Sequence, residues 1–335
     1  MQYDVLASTL DAMRSLVVCI CSQYGQLKED SVPAKITGIV PPLTTPFDQN
    51  GDIDEKAFRR QVKFLLDKGV HGVCVGGSTG EGHTLTTDEF RRLIEACAEE
   101  LNGKVPLVAG IIANSTREAI ARARAIESVD VAALQITPVH YLFKPDEDAT
   151  VGHFKTLSEQ VKQPVIIYNV VPWNYLSPAL LLRIMNEQRG VIGVKQSAGD
   201  LKLMADLLLD VPAGKVVLTA VDALLYPSFA LGAHGTIAAN PAAVPGPCVA
   251  LWNAVQRGDH ATALEIHKRL LRFWNTIVGD NLPACVKHAL TLQGCPSGLP
   301  RQPMPAPTGR QKEAIATALR HLLEIEGGER LVAAE

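Results

Sequence analysis

From Ile36 to about residue 258 the sequence alternates short apolar runs with amphipathic stretches of helical period, and this pattern limits the fold more than any other feature. The apolar runs fall at 37–41, 72–75, 105–109, 131–137, 164–169, 191–195, 215–220 and 235–238. Between them apolar residues recur at helical spacing, as in Phe58, Val62, Leu65 and Leu66, or Phe90, Leu93, Ile94 and Cys97. Near-continuous apolar strands separated by helices are parallel strands covered on both faces. About eight such units predict an α/β chain of the (β/α)8 TIM-barrel class. The competing doubly wound sheet carries a Gly-x-Gly-x-x-Gly turn, and none of these runs is followed by one.

The rest of the chain is organised differently. Residues 261–278, 282–292 and 309–325 read as helices, with a Pro/Gly-rich stretch at 294–308 between the last two. Their narrow apolar faces need a partner, either the barrel or a neighbouring subunit. At the other end, residues 16–20 are apolar but far short of the ~18 residues of a membrane span, and poor as a signal segment. They predict an amphipathic extension followed by a polar linker at 22–35. The expected organisation is therefore an N-terminal extension over 1–35, a barrel over 36–258 and a C-terminal helical region over 259–335.

Composition narrows the function. Hydrophobic residues make up 47% and charged residues 20% of the 335, enough for a large core. With 32 Lys+Arg against 35 Asp+Glu, no basic block and only 5% aromatics, neither a phosphate-tracking surface nor a base-stacking platform is present. Nucleic acid and membrane are thus excluded as partners. The seven cysteines are odd in number and scattered, without a Cys-x-x-Cys, which points to a reducing cytoplasm. Nine histidines without zinc-helix spacing, and no calcium-type acidic loop, predict neither metal nor cofactor.

Barrel chemistry sits where the strands end. After the second run comes Gly76-Gly77-Ser78-Thr79-Gly80-Glu81-Gly82, whose backbone N–H groups and hydroxyls can converge on an anion, or simply make a tight turn. It is not a phosphate loop of the Gly-Lys-Ser/Thr kind. The fifth run ends in Tyr168, either a proton relay or a packing phenol. The sixth ends in Lys195. An ordinary lysine, with a pKa near ~10.4, is about one part in a thousand free amine at neutral pH. Desolvation at a strand end raises that share and makes the amine able to condense with a ketone. A lysine merely paired with a carboxylate is the plainer alternative.

Together these elements are similar to those of the dihydrodipicolinate synthase and N-acetylneuraminate lyase family, Schiff-base enzymes on a (β/α)8 barrel. The resemblance spans roughly residues 36–325. It rests on Leu43-Thr44-Thr45-Pro46-Phe47, on Gly76 to Glu81, on Tyr168-Asn169 and on Gly193-Val194-Lys195-Gln196-Ser197-Ala198-Gly199-Asp200. It implies Lys195 as the Schiff-base lysine, Tyr168 as the proton shuttle, and Ser78 with Thr79 as the seat of a 2-oxo acid carboxylate. Ile237 falls where the family lines its pocket. A homo-oligomer, dimer or tetramer, is also implied.

The chain departs from both family patterns at the outer end of the site. Where the synthase has an arginine it reads Val170-Val171-Pro172-Trp173-Asn174, and His140 stands at the place of a relay tyrosine. Where the lyase reads sugar hydroxyls it has Asp222-Ala223 and Ala238-Ala239. Trp173 then supplies an aromatic wall, and His140 a polar contact. The expectation is a lyase that makes or breaks a C–C bond of a pyruvate-type 2-oxo acid through Lys195. Its partner is smaller or less hydroxylated than a nine-carbon sugar. A dehydratase, deaminase or hydratase-aldolase, the synthase proper, and a non-catalytic family member are the alternatives.

Overall fold

The computed structural model describes residues 36–324. The proposed N-terminal extension and linker lie outside the described residues. Eight strands form one all-parallel sheet: β1 (Gly38–Ile39), β2 (Val73–Val75), β3 (Leu107–Ile111), β4 (Ala133–Ile136), β5 (Val165–Asn169), β6 (Val191–Gln196), β7 (Val216–Thr219) and β8 (Gly235–Thr236). Each pairs with its sequence neighbour, and β8 pairs with β1. The ring closes between β1 and β2 through a parallel bridge of Pro42 with Cys74 and the bonds around it. This is the (β/α)8 barrel that the alternation predicts.

All eight expected strands are present, six of them shorter than their apolar runs, and β1 and β8 keep only two paired residues each. Pro41 and Pro42 have no N–H to donate, so the regular ladder of β1 stops at Ile39. In β8 the ladder gives way to a short helix at Ala239.

The helices on the strands' outer side are α1 (Glu55–Asp67), α2 (Thr87–Leu101), α3 (Thr116–Ala125), α4 (Glu147–Gln160), α5 (Pro178–Glu187), α6 (Leu201–Asp210) and α7 (Leu225–Ala230). Most begin at a polar residue that satisfies a free backbone N–H. Asp54, Ser115, Asp146, Ser177 and Asp200 do so singly, and Thr86 with Glu89 does so as a reciprocal box. These caps set each helix start in the loop after its strand, which fixes the loops of the barrel mouth.

Strand side chains alternate between two cores. Val40, Cys74, Val108, Ala133, Ile166, Leu218 and Ile237 fill the barrel interior. Val73, Val75, Ala109, Leu134, Ile167, Val194 and Val217 face the helices and join the larger core.

Four further helices continue from β8: α8 (Ala239–Ala243), α9 (Pro245–Gln256), α10 (His260–Ile277) and α11 (Leu282–Leu292). A last one, α12 (Gly309–Leu323), follows the Pro/Gly-rich stretch. That stretch returns to the barrel: Leu299 exchanges backbone bonds with Phe47, just past β1. Gln293 of the same region donates to the Ala243 carbonyl at 2.7 Å. The C-terminal helices thus pack on their own barrel.

Candidate active site

Tyr168 and Lys195 are direct register partners on β5 and β6, so period-two alternation aims both side chains into the barrel. Their neighbours lock the strand ends. Asn169 donates to Gln196 Oε1 at 3.1 Å and to the Leu176 carbonyl at 3.2 Å, and Gln196 Oε1 also accepts the Ala198 N–H. With the outward side chains tied, the inward pair has little freedom to splay.

Lys195 is 5% exposed, and its Nζ lies 4.1 Å from the centroid of the Tyr168 ring. Among the described residues no carboxylate lies within ion-pair distance of that amine, so the plain reading of a rim salt bridge does not apply. The Tyr168 hydroxyl meets Ser78 Oγ at 2.9 Å and accepts the Ser78 N–H at 3.3 Å. One chain of contacts therefore runs from the amine over the phenol to the Gly-rich loop.

That loop is a single 3-10 turn, Ser78–Gly80. Thr79 is buried within it. Thr45 Oγ1 donates to the Gly80 carbonyl at 2.7 Å, which ties the loop to the Thr44-Thr45-Pro46 segment. Thr44 is held in turn by Gln61, whose Oε1 accepts its N–H at 2.8 Å. The Ser78 N–H and hydroxyl face the phenol, donors of the kind a small carboxylate needs.

Ile237 is fully buried in the inner core. Among the described residues no hydrogen bond joins His140 or Trp173 to this cluster. Trp173 is 68% exposed, and its indole N–H donates to the His140 carbonyl at 2.9 Å. The His140 ring bonds the Pro138 carbonyl through Nδ1 at 3.1 Å. Asn174 ties the same two loops together by donating to the Val139 carbonyl at 2.9 Å.

Three further residues of the mouth make contacts that the motifs do not reveal. Asp222 is buried and accepts the Ala239 and Asn240 N–H groups. Burial pushes its carboxyl up to about 6, against those hydrogen bonds and the charge of Lys195, which favour the anion. Glu81 is buried against Lys287 of α11. Gln135 on β4 is buried in an otherwise apolar strand, and an amide between Leu134 and Ile136 is a signal available in the sequence.

Residues 35–322 match the dihydrodipicolinate synthetase family. A 4-hydroxy-tetrahydrodipicolinate synthase of Methanopyrus kandleri is 36% identical over 88% of this chain and 99% of that protein. Among solved structures, dihydrodipicolinate synthase from Aquifex aeolicus aligns with a TM-score of 0.78 at 28% identity, covering 87% of this chain and 98% of that one. YagE, a prophage protein of the same family from E. coli K12 solved with pyruvate, gives a TM-score of 0.82 at 25% identity, covering 86% and 99%.

Proposed function

The chain belongs to the dihydrodipicolinate synthetase family and is an enzyme of that lyase type, and from this premise we propose that it makes or breaks a C–C bond of a pyruvate-type 2-oxo acid held on Lys195 as an imine. The observation that carries the reading is the buried Lys195 amine against the Tyr168 ring, with the phenol bonded to Ser78. In this scheme the Lys195 nitrogen adds to the ketone carbon, and the protonated imine then draws electrons from the neighbouring bond. Tyr168 moves the protons. Ser78 and Thr79 hold the carboxylate, and Ile237 closes the apolar side. YagE, the structural relative solved with pyruvate, supports the substrate class.

The test is borohydride reduction with pyruvate, followed by intact mass and peptide mapping. A pyruvyl adduct on Lys195, lost in Lys195→Arg because a guanidinium forms no imine, is the expected result. An adduct mapped to any other lysine sinks the assignment.

A second reading, the synthase reaction, is favoured by the names of the relatives. Against it stand Trp173 in place of an arginine and His140 in place of a relay tyrosine. Ala223, Ala238 and Ala239 likewise argue against a sugar. We therefore expect little turnover of aspartate semialdehyde or N-acetylneuraminate, and better turnover of a less hydroxylated aldehyde partner. Efficient use of either parent substrate by the purified protein overturns this choice.

The assembly proposed is a homo-oligomer. Tyr141, Leu142 and Phe143 are 71%, 72% and 77% exposed beside Trp173 on the rim, an apolar patch suited to a second copy. Among the described residues no helix is long and apolar enough to cross a membrane. The five described cysteines are buried and none forms a disulfide, which supports a cytoplasmic setting.

A further inference from the structure

Gln135 is completely buried on β4, yet neither its Oε1 nor its Nε2 has a hydrogen-bond partner. A buried carboxamide with both ends unsatisfied is rare in folded proteins, because desolvation without a partner is unfavourable. Its position relates it to Lys195. Followed round all eight strands, the register leaves β2 level with Ser78 and returns level with Val70, the shear shared by such barrels. Each strand is thus offset by one residue from the next, and side chains of alternate strands share a layer. The layer of Lys195 on β6 contains Cys74 on β2, Gln135 on β4 and Ile237 on β8.

Gly77 gives an independent fix. A Cβ on this glycine would stand 3.7 Å from Gln135 Nε2 and 3.8 Å from the Tyr168 hydroxyl. The carboxamide and the phenol therefore border one small space, which a side chain at position 77 would fill. Ser78 bonds the phenol that borders it, and Lys195 lies over the ring of the same Tyr168.

We propose that Gln135 holds the ketone oxygen of the 2-oxo acid while Lys195 attacks the adjoining carbon; this rests on the imine reading above. The neutral Lys195 amine adds its lone pair to the ketone carbon, and the C=O π pair moves to oxygen. That oxygen takes the Tyr168 proton, and the ammonium nitrogen returns a proton to Tyr168. The hydroxyl of the carbinolamine then takes the Tyr168 proton and leaves as water as the nitrogen lone pair closes the protonated imine. Gln135 Nε2–H donates to the oxygen throughout, and Oε1 accepts from the water as it departs. The two unpaired atoms thus find their partners only when a 2-oxo acid is bound.

The test separates rate from extent. In the finished imine the ketone oxygen has left, so removing its holder slows formation and reversal alike. Rapid-quench borohydride trapping with pyruvate gives the rate of imine formation, and long incubation before reduction gives its extent. Gln135→Met, of similar volume, is expected to form the imine at least tenfold more slowly, with a final adduct fraction within about twofold of the unaltered protein. Gln135→Glu, which keeps a polar side chain but loses the N–H donor, is the second variant should the first not fold, and the same slowing is expected. Unchanged rates in either folded variant overturn the proposal. So does a lowered extent at an unchanged rate, which would place Gln135 on the product imine instead. Absence of any adduct in the unaltered protein is a different outcome: it overturns the imine reading itself.

Discussion

Glu81 and Lys287 lie 206 positions apart in the chain and meet at 2.6 Å, with both side chains sealed from water. Glu81 has a left-handed backbone, φ 54°, directly after the Ser78–Gly80 turn. Its other oxygen accepts the Arg301 N–H at 2.9 Å, while Lys287 also donates to the Leu299 carbonyl at 2.6 Å. The Phe47 ring lies beneath both cations. The C-terminal helices therefore grip the loop offered as the carboxylate seat. This gives the appendage a part in shaping the site beyond covering the barrel.

Breaking this pair on one side leaves a buried charge without its partner. Lys287→Met is expected to destabilise the fold by about 3–5 kcal/mol, and Glu81→Gln by a similar amount. The double variant Glu81→Gln/Lys287→Met removes both charges and is expected to recover a good part of the loss. Urea unfolding of the four proteins measures this. Additive losses in the double variant show that the two side chains are not coupled.

Acid sensitivity has an identifiable source in His153 on α4. Burial holds its imidazole down to about 4, and its Nδ1 meets Thr116 Oγ1 at 2.9 Å. The unfolded chain takes up this proton near pH 6.5, so it binds more protons than the folded one between about 6.5 and 4. The contribution of neutral His153 is complete above pH 6.5 and is lost as pH falls toward 4, by roughly 3 kcal/mol. His153→Gln is expected to flatten the stability curve in that window. Parallel curves for the two proteins assign the acid loss to other groups.

Tyr168→Phe separates chemistry from packing. Among the described residues the hydroxyl is hydrogen-bonded to Ser78 alone, and the ring remains beneath Lys195. The fold should persist, while turnover falls by roughly 10²–10⁴, the scale for one positioned acid/base. Full turnover at saturating substrate makes the phenol a packing residue.

The barrel was legible because its strands are apolar on both faces, which shows in one dimension as eight separated runs. Short pairing in β1 was less so: it depends on Pro41, which closes the apolar run, and on Pro42 just beyond it, neither of which fits the ladder. Tyr168, Lys195 and Ser78 were each readable as strand-end residues, and only closure of the ring shows that they touch. Gln135 is one amide in an apolar strand and drew no reading from the sequence, since its level with Lys195 follows only from the shear. The partnership of Glu81 with Lys287 has no local signature at all, because its two halves come from opposite ends of the fold. Trp173 was expected as a wall of the mouth, and its exposure reflects a bond outward to the His140 carbonyl.

Gly77 offers a probe of the site that leaves the scaffold alone. Its backbone, φ −76° and ψ −175°, is open to any residue, and an added Cβ meets nothing closer than 3.7 Å. Gly76 beside it is the contrast: its φ is 83°, and a Cβ would stand 2.7 Å from the Gly110 carbonyl oxygen and from the Phe90 ring. Gly76→Ala is therefore expected to lower the melting temperature sharply, by strain and by overlap. Gly77→Ala is expected to melt close to the unaltered protein. Its methyl, however, occupies the space bordered by Gln135 and Tyr168, so trapping of pyruvate by borohydride should fall at least tenfold. Thermal melts and adduct masses for the two neighbours check both halves together. A Gly77→Ala protein that folds and traps pyruvate normally would mean that the substrate lies elsewhere in the barrel mouth.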